Sequence, residues 1–138
     1  MRSFHRQKRR GTAAIEFAFW VPMVALMFSG IVDLSWLMTL KENVTQAARD
    51  GARAGAASNN PSQVTSRAST SANGVLAGVG LVGCTVNPTE FTVSISGTDL
   101  DGIRVDVSCP FHPLVGLIPM AQNGDPVHSR FTLLREFQ

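Results

Sequence analysis

The pattern of apolar and polar positions changes three times along this 138-residue chain, and each change predicts a different element. Residues 17–32 are sixteen positions without a charge, and apolar character resumes after Asp33 through Leu34, Trp36, Leu37, Met38 and Leu40. At 1.5 Å per residue the steps from Glu16 to Asp33 cover about 25 Å, somewhat less than a hydrocarbon core of roughly 30 Å. This predicts a single tilted membrane-spanning helix, with Trp20 and Trp36 near its two ends, where indoles settle at the interface. Pro22 removes one backbone donor within it and predicts a bend of the kind that membrane helices tolerate.

The second stretch, residues 41–57, keeps the helical period with no proline and many alanines. Val44, Ala47, Ala48, Gly51 and Gly55 fall near one face, which is therefore lined by small residues. Gly51 and Gly55, four apart, let another backbone approach closely, either a helix or sheet of the same domain or a neighbouring subunit. Asn43-Val44-Thr45 has the form of a glycosylation acceptor, but it lies inside a helical pattern and carries no weight.

A turn-rich break at residues 58–62 precedes a second helix beginning near Pro61, which runs through the Ser-, Ala- and Thr-rich residues 62–79 and ends in the glycines of residues 78–83. The period then becomes two. Phe91, Val93 and Ile95 alternate with Thr92, Ser94 and Ser96, and Ile103, Val105 and Val107 alternate with Arg104, Asp106 and Ser108, with residues 97–102 reading as the hairpin loop between them. Val127, Phe131 and Leu133 predict a third strand. The expected architecture is α+β: a long N-terminal transmembrane helix extending into a small exported domain with a second helix and a three- to four-stranded antiparallel sheet. It divides into a basic leader (1–11), the membrane helix (12–40), its extension (41–57) and the exported domain (58–138). A sheet of two or three strands is marginal alone and needs a helix packed on its apolar face.

The cysteine count adds a constraint. Cys84 and Cys109 are the only two, and Cys109 keeps the phase of Ile103, Val105 and Val107. Across the membrane, in an oxidising compartment, a disulfide between them is expected; with no CxxC spacing and no companion ligands, a metal pair or catalytic thiol has no support. The apolar residues 110–120, punctuated by Pro110, Pro113 and Pro119, suit neither a regular helix nor a central strand. They form either an exposed partner-binding patch or a cover folded back over the sheet edge.

Charge places the chain across a membrane. Five of the twelve basic residues (Arg2, Arg6, Lys8, Arg9, Arg10) precede Gly11, so loss of the leader leaves seven basic against ten acidic residues and turns a net charge of +2 into −3. That leaves no basic patch for nucleic acid, and the leader cluster keeps the N-terminus cytoplasmic by the positive-inside rule. A secretory signal also begins with positive charge, but its apolar region is shorter and ends in a small-residue cleavage site. Glu16 stands out for a different reason. A carboxylate one turn inside a membrane helix costs roughly 2.5–3.5 kcal/mol even on lenient scales, which marks it as functional rather than incidental. Asp33, at the other end, reads as a mark of the outer membrane boundary.

The run Arg10-Gly11-Thr12-Ala13-Ala14-Ile15-Glu16-Phe17-Ala18, with Pro22, with Asp33 after Gly30-Ile31-Val32, and with Ala47-Ala48-Arg49-Asp50-Gly51-Ala52-Arg53, resembles the TadE-like (TadE, TadF and TadG type) minor pseudopilin family of Tad (tight adherence) Flp-type pilus systems. The closing Arg135-Glu136 and Pro113-Leu114 resemble its C-terminal pattern less specifically. The resemblance implies processing of the Gly11–Thr12 bond by an inner-membrane prepilin peptidase, with Glu16 supporting processing or assembly and Phe17 standing where the family has Phe or Tyr. The implied partners are that peptidase, other pilin or pseudopilin subunits, inner-membrane Tad assembly proteins and the lipid bilayer. The implied location is the bacterial inner membrane, single-pass, with a periplasmic C-terminal domain and a route into a pilus. The resemblance implies no cofactor. TadG-like chains are much longer, so the length favours the short pseudopilins, and the exported domain is larger than a Flp major pilin.

Enzyme signals are lacking in the sequence. His5, His112 and His128 are scattered, and no nucleophile elbow, phosphate loop or HExxH pattern occurs. The rival to a cleaved pseudopilin is a permanently anchored bitopic protein whose exported domain binds an envelope partner, and the leader discriminates the two.

Overall fold

The computed structural model describes residues 8–95, 97–116 and 126–135, with side chains from Thr12 onward except that of Ile95. Residues 1–7 of the leader, residues 117–120 of the proline-rich segment and Glu136 lie outside the described residues. The order is α1 (Lys8–Ala56), a short 3₁₀ turn (Pro61–Gln63), α2 (Val64–Gly78), β1 (Thr85–Ile95), β2 (Thr98–Pro110) and β3 (Pro126–Leu134). The strands form one antiparallel sheet in the order β1-β2-β3. This is the α+β architecture expected from the periodicities, with one helix, Thr12–Ala56, long and apolar enough to span a membrane.

Helix α1 runs unbroken through Pro22 for 49 residues. Its first part is bare: Ile15, Phe17, Phe19, Met27 and Phe28 are all more than 60% exposed. Its last part is the wall of the core, where Leu40, Val44, Ala47, Ala48 and Ala52 are buried. The change occurs without any break in the helix, because only the polarity of the outward face changes at Lys41 and Glu42.

Helix α2 starts where Asn60 caps the preceding turn, its Oδ1 accepting from the Ser62 amide at 3.1 Å, with Pro61 at the first position. It buries Val64, Ala68, Ala72 and Leu76, spaced by four along one face. That face meets the glycines of α1. A Cβ on Gly51 would lie 3.0 Å from the Ala68 carbonyl and 3.0 Å from Ala72 Cβ, and one on Gly55 would overlap Ile103 Cδ1 and reach 3.2 Å from the Val64 carbonyl. Gly51 and Gly55 thus face α2 and β2 of their own chain.

The sheet covers the opposite side of this helix pair. Ile103, Val105, Val107 and Cys109 of β2 are buried, and the register places Leu133, Phe131 and Val127 of β3 opposite Ile103, Val105 and Cys109. Two expectations for the first hairpin are corrected. Residues 98–102 are not loop but strand, paired with residues 91–95, and the chain reverses before Thr98, where Gly97 takes φ +86°. Cross-strand bonds hold the extension: Thr92 donates to Asp101 at 3.0 Å, and Ser94 donates to Asp99. The second correction concerns phase. Glu90 lies opposite Ile103, so Phe91, with Gly102 as its partner, points away from the helices. The Phe91 ring covers Gly102, filling the space that a side chain there would occupy, and Arg104 lies over it at 5.4 Å.

The Cys84 and Cys109 sulfurs are bonded, with Cα atoms 4.1 Å apart, one step beyond the last β1–β2 pair, Thr85 with Ser108. The bond joins the end of the α2–β1 connection to the buried edge of β2. At the other end of the sheet, the Arg135 guanidinium, 6% exposed, donates to the Ser58 carbonyl at 2.8 Å, and its amide donates to the Asp101 carbonyl at 2.7 Å.

Two stability predictions follow from this packing. Gly51→Leu must push α2 off a backbone carbonyl and is expected to lower stability by about 1–3 kcal/mol, read by urea titration of the detergent-solubilised chain. Replacing both cysteines by serine is expected to cost about 3–3.5 kcal/mol in the same titration, the loop-closure value for a separation of 25 residues.

Candidate functional site

The residues singled out at the N-terminus stand on the first exposed turns of α1. Gly11 lies within the helix, whose backbone begins at Lys8, and Thr12 and Glu16 follow as exposed positions one turn apart on one helix face. Phe17 is 71% exposed. Among the described residues, no part of the folded domain covers Thr12, Glu16 or Phe17, so the acid and its neighbours are presented to whatever surrounds the helix. In a bilayer that surrounding is hydrocarbon, where an unpaired carboxylate either reaches the headgroups or finds a cation.

Farther along α1, the structure assigns a partner to Asp33 that the sequence reading did not. Asp33 is 6% exposed, and its carboxylate accepts two backbone amides of the segment after β2: Val115 at 2.9 Å through Oδ1 and Gly116 at 3.2 Å through Oδ2. Gly116 takes φ +68°, a conformation that favours glycine and allows the two successive amides to converge on one carboxylate. Beyond the boundary position expected of it, Asp33 is a clamp on the segment after β2. The described residues of the proline-rich segment, 110–116, are partly buried and partly exposed. Phe111 enters the core at 2% exposure, while Leu114 and Val115 stay 64% and 45% exposed at the clamp.

A signal for this role was present in the sequence. Asp33 keeps the phase of Leu37, Leu40, Val44 and Ala48, the face that packs inward, so it belongs to the domain side of the helix rather than the lipid side. Its donors, by contrast, are backbone amides more than 80 residues away, which no spacing rule announces.

On another face of α1, a groove of about 620 Å³ runs along Lys41, Glu42, Thr45, Gln46, Arg49 and Arg53. Arg49 in this row lies over the Phe131 ring at 5.6 Å. The row mixes charges of both signs and gathers no set of catalytic type. Among the described residues, no group of three or more His, Cys, Asp and Glu side chains is placed to hold a metal ion.

The clamp predicts a local effect. Asp33→Ala leaves two amides without their charged acceptor and is expected to destabilise the segment by about 1.5–3 kcal/mol, seen as faster hydrogen exchange at Val115 and Gly116.

Comparison with known proteins agrees with the reading of the N-terminal motif. Residues 11–53 match the family model described as TadE-like protein. The matched stretch takes in Gly11, Thr12, Glu16, Phe17, Asp33 and Gly51, and ends three residues before α1 does. No curated protein and no solved structure matches the chain.

Proposed function

We propose that this chain is a minor pseudopilin of a Tad-type pilus, cut between Gly11 and Thr12 by a prepilin peptidase and then taking part in assembling or anchoring a Flp-type pilus. The observation that carries the reading is the match to the TadE-like family over residues 11–53, which begins at the proposed cleavage residue. The length and apolar surface of α1 support a single inner-membrane span, and the basic leader supports a cytoplasmic N-terminus with the sheet domain in the periplasm.

Glu16 has a physical task in this scheme. Cleavage creates an α-amino group on Thr12, four residues before Glu16 on the same helix face, so a new positive charge arises one turn from the acid. At low dielectric that attraction is strong, within one subunit or between neighbours. The charge pair lowers the cost of both groups in lipid and favours the mature chain over the precursor wherever subunits are packed. The partners in this reading are the peptidase, other pilin or pseudopilin subunits and inner-membrane assembly proteins. The protein acts by assembly, without catalysis or cofactor.

The test is N-terminal sequencing and intact mass of the protein from native membranes, beside a Gly11→Leu variant. A mature chain starting at Thr12, absent in the variant, is the expected result. A chain that still starts at Met1 in cells with an active prepilin peptidase would overturn the pathway in favour of an uncleaved bitopic anchor.

A further inference from the structure

The end of the domain that faces the apolar stretch of α1 differs in chemistry from its opposite end. Strand β2 descends along α1 toward that stretch: Ile103 packs at Gly55, Val105 lies near Gly51, and the segment after the strand reaches Asp33. Residues 107–116 on this path contain no Asp, Glu, Lys or Arg, and neither do residues 79–89, which the Cys84–Cys109 bond ties beside them. Of the charged side chains of the hairpin, Asp99 and Asp101 lie at the far end, and Glu90, Arg104 and Asp106 lie along its middle, Asp106 opposite Asn87. At the near end Leu114, Val115 and, across the disulfide, Val82 at 87% are exposed apolar side chains, beside the exposed polar side chains of His112, Thr85 and His128.

Depth along α1 gives this chemistry a meaning. The exposed apolar surface of the helix extends from Ile15 to Met38, with Leu34 and Met38 still 57% and 64% exposed. Those 23 steps cover about 35 Å, against a hydrocarbon core of roughly 30 Å. Asp33 therefore lies inside the outer edge of the apolar band, and the two amides that it holds lie there with it.

We infer that the segment following β2 is a second membrane contact, in which Leu114 and Val115 enter the periplasmic-side lipid interface next to α1. Backbone amides at that depth are tolerated only when satisfied by protein, and Asp33 satisfies two of them. The reverse also holds, since a carboxylate at that depth is tolerated when donors surround it. The segment is held at Asp33, next to Leu34 of the exposed apolar surface of α1, which sets its occupant as bilayer. This inference rests on the membrane-anchor reading proposed above.

The test uses the full chain in vesicles of phosphatidylethanolamine and phosphatidylglycerol, with a single added cysteine carrying an environment-sensitive fluorophore and lipids spin-labelled near the top of the acyl chain as quenchers. Leu114→Cys reports the segment, Val24→Cys the anchor and Thr98→Cys the distant hairpin. The expected result is quenching at residues 24 and 114 that is severalfold stronger than at residue 98, with the residue 114 signal falling toward that of residue 98 when Asp33→Ala is added. Quenching at residue 24 but not at residue 114 overturns the inference and leaves the anchor standing. No quenching at residue 24 removes the anchor and the inference together. A residue 114 signal indifferent to Asp33→Ala overturns the role given to the clamp.

Discussion

At Gly51 and Gly55 the backbones of α1 and α2 come as close as the Ala68 and Val64 carbonyls permit, and the sheet rests on the surface that this contact creates. Side chains there would separate the helices, and Ile103, which occupies the space at Gly55, would lose its seat. The core is thus assembled from small pieces: Ala47, Ala48, Ala52, Ala68 and Ala72 contribute close contact but little area each. A domain of this size with an alanine-rich core has little hydrophobic reserve, and covalent or polar ties become correspondingly important. Two such ties sit at opposite ends of β2. The disulfide fastens the end near the membrane helix, and Arg135 fastens the other by joining β3 to the connection between the helices.

Because α1 is one helix from its exposed apolar part to its buried part, the domain has no separate hinge at the membrane surface among the described residues. The Asp33 clamp adds a second tie between domain and helix, about two turns below the first core residue, Leu40. Buried charge is normally a poor source of stability, since desolvation opposes the attraction. Here the carboxylate is matched by two amides that themselves need an acceptor, so each group relieves the other. Its value lies in fixing where the segment after β2 sits along α1.

Most of the architecture was legible because it rests on local pattern. The uncharged run, the small-residue face of α1, the proline-started α2 and the alternation in β2 and β3 each announce one element by its period. What escaped depended on pairing. Phe91, Val93 and Ile95 alternate as cleanly as Ile103, Val105 and Val107, but the register of β1 on β2 puts Phe91 and Val93 on the face opposite to Ile103, Val105 and Val107. The six residues from Gly97 to Gly102 looked like loop because they are polar and glycine-flanked, yet Thr92 and Ser94 supply cross-strand partners for Asp101 and Asp99. The partners of Asp33 escaped for a similar reason: a charge at the end of an apolar run suggests a boundary, and only the folded chain brings Val115 and Gly116 to it.

The same contacts narrow where another subunit can bind. A face of small residues invites a helix from a neighbour, but in this chain Gly51 and Gly55 are already occupied by α2 and Ile103. Two surfaces of α1 remain uncovered. One is the exposed apolar surface from Ile15 to Met38, which includes Glu16 at its start; the other is the charged row of Lys41, Glu42, Arg49 and Arg53 beyond it. They are unequal as sources of specificity. Apolar contact between helices in lipid gains little over contact with lipid itself, so in the proposed assembly the first surface would discriminate through Glu16, a polar group that gains from a partner in hydrocarbon. The second lies where water screens its charges, and it contributes register more than affinity. An assembly built on this helix would take its cohesion from the membrane part and its alignment from the row above it.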